Sequence, residues 1–353
     1  MKNIVCLGGG YGNMRFIQRM LPKLPSDYKI TLVDKNPYHG LKTEYYALAA
    51  GTKSEKKVRM GFPEDTQVDI IYDTVTEIDI DNGRVITENN ALEYDKLVVG
   101  LGCEDKHHGV PGAKAHTCSI QTLRESRATF EAIGDLTPND TVGIVGAGLS
   151  GIEIASELRE ARNDLYIKLF DRGERILPMY PVRLSDYVKR WFDENNVDVI
   201  PNSNIVKVES DHVYNNNESH ALDICIWTAG VQPAEVVRRM PVEFGPGGRV
   251  VLNQYHQVPG YQNVYVVGDC AALQHAPSAQ VAEGQAEQIA EVMSDIVAGR
   301  ELPGEMPDIK MQGILGSLGS KEGFAYLKER TVTGRIARML KSGVLWMYKL
   351  GNN

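Results

Sequence analysis

The chain has 353 residues, 42% of them hydrophobic and 24% charged, which suffices for a large core and two domains of ordinary globular composition. Its 38 basic residues face 46 acidic ones, and the formal net charge of −8 argues against general nucleic-acid binding. No run approaches the roughly 20 apolar residues that span a bilayer, and the five cysteines include no CxxC, so they read as reduced thiols and not as a disulfide framework.

The chain opens on a strand, Met1 to Leu7, that enters Gly8-Gly9-Gly10-Tyr11-Gly12-Asn13 and then a helix. This is not the charged segment and long apolar run of a signal peptide, so a cytoplasmic placement, at most peripheral to a membrane, is expected. Ile30 to Asp34 is the next strand. Short strands are predicted over Asp69 to Tyr72, Val75 to Ile80, Arg84 to Thr87 and Leu92 to Leu101, separated by turns such as Asp81-Asn82-Gly83. After a pause at Gly109-Val110-Pro111-Gly112, Gln121 to Ile133 has helical composition. A second apolar strand then enters Gly146-Ala147-Gly148-Leu149-Ser150-Gly151, with a helix beginning near Leu149 and a further strand ending at Asp171. Leu184 to Asn195 reads as a helix, Val197 to Ile200 and Leu222 to Trp227 as strands, Val264 to Val267 as a strand ending in Gly268-Asp269, and Ser278 to Ala298 as a long helix.

Two glycine-rich turns, each between a buried strand and a helix, are the pattern that receives a dinucleotide pyrophosphate. The glycines let the backbone approach the phosphates, and free N–H groups at the helix start take their charge. Asp34 and Asp171 each follow their loop's first glycine by about 25 residues, near the roughly 20 of a compact βαβ unit, where a carboxylate can accept a ribose 2′-OH. The first loop departs from the pattern at its third glycine, where Asn13 stands. Two such sites in one chain suggest a flavin reduced by a nicotinamide. Asp171 disfavours a 2′-phosphate, so NADH is expected ahead of NADPH; Arg172 and Arg175 leave NADPH open.

These residues resemble the type II NADH dehydrogenase (NADH:quinone oxidoreductase) family of two-dinucleotide-binding flavoproteins. The resemblance runs through Asp34-Lys35-Asn36-Pro37-Tyr38-His39, Gly109 to Gly112, Gly146 to Gly151 with Glu153, Ile226-Trp227-Thr228-Ala229-Gly230-Val231-Gln232-Pro233, Val267-Gly268-Asp269, Ala279-Gln280-Val281-Ala282 and Gly316-Ser317-Leu318-Gly319. It implies an α/β fold with two Rossmann-like domains: residues 1–112 and 250–310 binding FAD, residues 113–249 inserted between them and binding NAD(P)H, and residues 311–353 as a C-terminal segment touching a membrane surface or a second subunit. It also implies FAD held by Gly8, Gly10, Tyr11, Gly12, Asn13, Asp34, Lys35, Gly102, Gly268, Asp269, Gln280 and Val281. NAD(P)H would lie on Gly146, Gly148, Leu149, Ser150, Gly151, Glu153, Asp171, Ala229 and Gly230. Glu153, facing the nicotinamide side, and Gln280 are the catalytic candidates; a solvated helix residue is the alternative for Glu153.

The family's acceptor is a quinone, and a soluble redox protein or a low-turnover flavin sensor is the alternative. Two features depart from the family pattern. Gly284 occupies the place of a second glutamine after Gln280, and Leu41-Lys42-Thr43-Glu44-Tyr45-Tyr46 is more polar than usual. From Lys328 onward six cations oppose only Glu329, and Ile336, Leu340, Val344 and Met347 repeat at helical spacing, as a membrane-surface helix or a covering helix would. Cys270 reads as buried packing beside the flavin. His107, His108, His116 and Cys118 lack compact ligand spacing, so no metal site is expected.

Overall fold

The computed structural model describes residues 1–351. Two parallel sheets organise it. In the larger, six strands run in the order Gln257–Val258, Tyr261–Val266, Lys96–Val99, Lys2–Leu7, Tyr28–Asp34 and Val68–Tyr72, all parallel except the first. In the smaller, Val197–Ile200, Tyr166–Phe170, Thr141–Val145 and Ile224–Trp227 are parallel throughout. The central strands of both are buried on both faces, as near-continuous Val/Ile/Leu runs require.

The opening strand and Thr141–Val145 are each flanked by neighbours reached through crossovers in opposite directions. A crevice therefore opens at their C-terminal ends, where a ligand can enter. Each crevice faces a helix: Tyr11–Met20 after the first loop, Leu149–Ala161 after the second. Strand Tyr261–Val266 joins the large sheet beside Lys96–Val99, more than 150 residues upstream, and carries the turn Gly268–Cys270 to the same crevice. Helix Ala279–Val297, capped by the Ser278 hydroxyl, packs against Tyr11–Met20.

The stretch Leu92 to Leu101, expected as one strand, is two. Ala91–Glu93 closes a three-stranded antiparallel sheet with Val75–Asp79 and Arg84–Thr87, whereas Lys96–Val99 enters the parallel sheet. The break is at Asp95, whose carboxylate accepts the Asn3 N–H at 2.7 Å while its own N–H bonds the Asn3 carbonyl at 2.9 Å. Beyond the second sheet, Gly313–Leu318, Glu322–Leu327 and Arg330–Thr333 form an antiparallel meander, and helix Gly334–Gly351 returns across the molecule. Among the described residues no helix is long and apolar enough to cross a membrane.

Candidate active site

Gly8 and Gly146 adopt φ of +88° and +104°, where a side chain is strained. Space forbids one as well: a Cβ on Gly8 would lie 2.6 Å from the Gly100 carbonyl oxygen, and one on Gly146 2.8 Å from the backbone of Thr228. Gly10 and Gly148 are the N-caps of the two loop helices and supply no side-chain cap, so the first-turn N–H groups stay available to an anion. A Cβ on Gly148 would meet nothing within 4 Å, and one on Gly10 only the Gly100 oxygen at 3.9 Å. At Gly10 and Gly148 both loops are thus open toward a positive helix end, which fits a pyrophosphate in each, while the Phe62 ring covers Gly9.

The two acids hold their loops in the same way. Asp34 Oδ2 accepts the Gly9 N–H at 2.6 Å and Oδ1 the Asn36 N–H at 2.7 Å. Asp171 Oδ2 accepts the Ala147 N–H at 2.7 Å and Oδ1 the Gly173 N–H at 2.7 Å. Each carboxylate keeps lone pairs for ribose hydroxyls. Burial pushes the Asp34 carboxyl up, against the Gly9 and Asn36 donors that favour its charge. Lys35 beside it is exposed.

Asp269, at the end of the return strand, meets two residues that sequence reasoning did not single out as functional. Lys42 Nζ lies 3.5 Å from Asp269 Oδ2 and 2.9 Å from Cys103 Sγ, and the Cys103 thiol donates to Asp269 Oδ2 at 2.9 Å. Burial opposes the Lys42 charge, but the neighbouring Asp269 carboxylate favours it and its pKa is raised. Burial pushes the Cys103 thiol up to about 12, so it stays protonated. Cys270 is buried and donates to the Gly102 carbonyl at 3.0 Å. The Gly268 N–H is held by Gln285 Oε1 at 2.9 Å, while Gln280 accepts the Gln312 N–H at 3.0 Å and Val281 is buried. Gly284 has a packing reason: a Cβ there would sit 2.7 Å from Ile309, which covers that turn of the helix.

A buried polar cluster joins the helix after the second loop to the C-terminal helix. Glu153 is 7% exposed, so it is not a solvated helix residue. Its Oε1 accepts the Lys341 ammonium and the Ser317 N–H at 3.0 Å, and Lys341 also donates to the Tyr46 hydroxyl at 2.7 Å. Burial pushes the Glu153 carboxyl up, with Lys341 and Ser317 drawing it back; burial and the neighbouring Glu153 charge carry the Tyr46 phenol well above its ordinary range. A second pair, Lys53 with the buried Glu44, adjoins it, which resolves how a carboxylate is tolerated in this segment. On the far side, Ala229 O accepts His108 Nε2 at 2.8 Å and Gly230 has φ of +118°. Lys341 and Tyr46 left no signal in the sequence beyond their place in a helix and beside the Tyr-rich turn.

Among the described residues no group of three or more His, Cys, Asp or Glu is placed to hold a metal. Residues 2–286 match the family described as pyridine nucleotide-disulphide oxidoreductase. The chain is 54% identical over 354 residues to an NADH dehydrogenase-like protein, YutJ, of Bacillus subtilis, covering 100% of both. It is 26% identical over 386 residues to a type II NADH:quinone oxidoreductase of Staphylococcus aureus, covering 96% of this chain and 93% of that one. Among solved structures, NDH2 from Plasmodium falciparum in complex with NADH superposes with a TM-score of 0.87 at 16% identity, over 97% of this chain and 94% of that one. The sulfide:quinone oxidoreductase of Aquifex aeolicus gives 0.84 at 20% identity, over 100% and 91%.

Proposed function

This chain belongs to the pyridine nucleotide-disulphide oxidoreductase family, and from that membership we propose an FAD-dependent NADH dehydrogenase that passes its electrons to a quinone. The observation that carries this reading is the pair of open glycine cradles, each with its own acid, at the crevices of two separate parallel sheets. FAD, when bound, supplies the two-electron carrier between nicotinamide and acceptor. We assign residues 1–112 and 250–310 to the FAD unit and 113–249 to the NADH unit.

In this reading the first-turn N–H groups after Gly10 take the FAD pyrophosphate, Asp34 accepts ribose hydroxyls, and Asp269 exchanges its Cys103 and Lys42 partners for flavin hydroxyls. The N–H groups after Gly148 and the Asp171 carboxylate hold NADH, with the Ala229–Gly230 backbone beside the ring. Lys341 Nζ, which donates to Glu153 Oε1, is a buried proton donor beside the second loop's helix, and quinone reduction consumes a proton. Orientation and exclusion of water are the protein's main contribution.

The C-terminal helix turns Ile336, Met339, Leu340, Val344, Met347 and Leu350 outward, with Ile336 65% and Met347 67% exposed. We assign this face, flanked by the exposed Arg335 and by Lys349, to the surface of an anionic membrane, where a lipid quinone resides. Met339→Glu with Met347→Glu should abolish co-sedimentation with anionic liposomes while leaving NADH-dependent flavin bleaching intact; undiminished pelleting removes the membrane assignment. For the catalytic reading the test is anaerobic mixing of the purified yellow protein with NADH, which should bleach the flavin, followed by a water-soluble quinone, which should restore it. Absence of bleaching defeats the dehydrogenase, and bleaching without recovery defeats the quinone.

A further inference from the structure

The inner face of the C-terminal helix reaches both nucleotide loops. Lys341 meets Glu153 on the second loop's helix, and Tyr348, two turns later on the same face, meets His39 under the first loop. His39 is fully buried, its Nδ1 lies 2.7 Å from the Gly9 carbonyl oxygen, and its Nε2 lies 2.9 Å from the Tyr348 hydroxyl. A carbonyl can only accept, so Nδ1 carries the proton. Burial lowers the imidazole pKa and keeps the ring neutral. Nε2 must then accept, and the Tyr348 O–H donates to it. The result is a directed chain from the helix to the loop: Tyr348 to His39 to Gly9.

Gly9 is gripped at both ends, since its N–H is already bound by Asp34 at 2.6 Å. Its neighbours Gly10 and Tyr11 begin the helix whose free N–H groups would meet the pyrophosphate. Tyr11 is fixed by the same cluster: its ring stands edge-on to His39 at 5.0 Å and 5.1 Å from that of Tyr348, and its hydroxyl lies 2.9 Å from Thr43 Oγ1.

We propose that Tyr348 is a positioning residue for FAD, acting through His39 to hold the Gly9–Tyr11 turn in the shape that receives the pyrophosphate, so that the C-terminal helix clasps the cofactor. This rests on the assignment of FAD to the first loop. It gives the helix two jobs on opposite faces, retention of FAD inside and surface contact outside.

The test measures FAD dissociation constants for the full-length protein after removal and re-addition of FAD, together with the melting temperature with and without saturating FAD. Tyr348→Phe keeps the ring packing and removes the O–H. It should weaken FAD about five- to tenfold, the effect of one lost hydrogen bond to a buried neutral partner, and narrow the melting-temperature gap between FAD-bound and FAD-free protein. A merely structural role would lower both temperatures together and leave the gap unchanged, and that result overturns the proposal. His39→Gln, whose amide can still donate to Gly9, should bind FAD more tightly than His39→Leu; equal affinities of these two also overturn it. Met347→Ala, on the outer face, should bind FAD as the wild type does. A wild-type protein that takes up no FAD defeats the cofactor assignment itself, and the clasp with it.

Discussion

The two glycine loops solve one problem with different residues. Each turn leaves two carbonyl oxygens facing the start of its helix, those of Leu7 and Gly8 in the first and of Val145 and Gly146 in the second. In the first loop the Asn13 amide donates to both at 2.8 Å. In the second the Thr228 hydroxyl lies 2.9 and 2.8 Å from them, reaching across from the end of a neighbouring strand. Because Thr228 does that work, Gly151 can let the helix close down, and a Cβ there would meet the Gly146 oxygen at 1.9 Å. Asn13 is therefore a substitute partner and not a damaged motif. The first loop is also clasped by His39, whereas the second has no comparable clamp on Ala147 among the bonds of the described residues. A self-contained, clasped loop suits a resident cofactor, and a looser one suits a nucleotide that must leave after each turnover.

Within the loops themselves the largest effect should come from exchanging their third positions. Gly151→Ala places a methyl against backbone that has nowhere to go, and the expected destabilisation is about 3 kcal/mol or more. FAD-binding protein without NADH-dependent bleaching is the expected phenotype. Asn13→Gly, the reverse change, removes donors to two carbonyls but also an amide oxygen that is buried without a partner. It should cost about 1–2 kcal/mol, as should Thr228→Val, both read from denaturant midpoints. Equal damage from Gly151→Ala and Asn13→Gly would erase the distinction between the loops.

Two residues past the third position the loops diverge again. Arg15 is part-exposed and pairs with Glu283 at 3.2 Å, while Glu153 is buried with Lys341. Lys341→Met strands a buried carboxylate, a change that costs about 3–5 kcal/mol when the charge stays uncompensated. Burial already raises the Glu153 pKa, and without Lys341 that cause is unopposed by an ammonium. The folded state then binds a proton that the unfolded state has released, so stability must fall as pH rises through the folded pKa. The variant's deficit should be small near pH 5 and grow toward pH 8 in melting curves. Glu283→Gln at the first loop should change stability by less than about 1 kcal/mol and show no such trend.

What was legible in the sequence was local. The strands before each loop, the glycine turns, and Asp34 and Asp171 at the ends of the following strands are all short-range signals, and the structure forms those strands and turns and bonds each acid to its loop. The buried polar cluster was not legible, because Tyr46, Glu153, Ser317 and Lys341 are far apart in sequence and only the packing of the C-terminal helix joins them. That helix misleads in one respect. Its apolar repeat invites the reading of an inward core face, yet the apolar residues point out and Lys341, 8% exposed, points in. The break at Asp95 is likewise set by a partner, Asn3, more than ninety residues away.

The smallest expected effect concerns which nicotinamide the looser loop prefers, and Arg175 bears on it first. Its guanidinium is committed to Ser185 Oγ at 3.1 Å and to the Pro178 and Tyr180 carbonyls at 2.9 and 3.2 Å, so it braces the turn after Asp171 and is not free for a 2′-phosphate. Only the exposed Arg172 is left for that role in this turn, and an exposed cation contributes about 1 kcal/mol at most. Asp171→Ala removes the proposed ribose acceptor and also the grip on Ala147 and Gly173, so affinity for both nucleotides should drop. The ratio isolates the ribose term: kcat/KM should fall further for NADH than for NADPH, narrowing the preference by about tenfold, the worth of one hydrogen bond to a charged group. Arg172→Ala should move that ratio less than threefold. An Asp171→Ala protein with unaltered selectivity would mean that the carboxylate serves only to hold the loop, and that the second site, like the first, is shaped by its braces more than by contacts to the sugar.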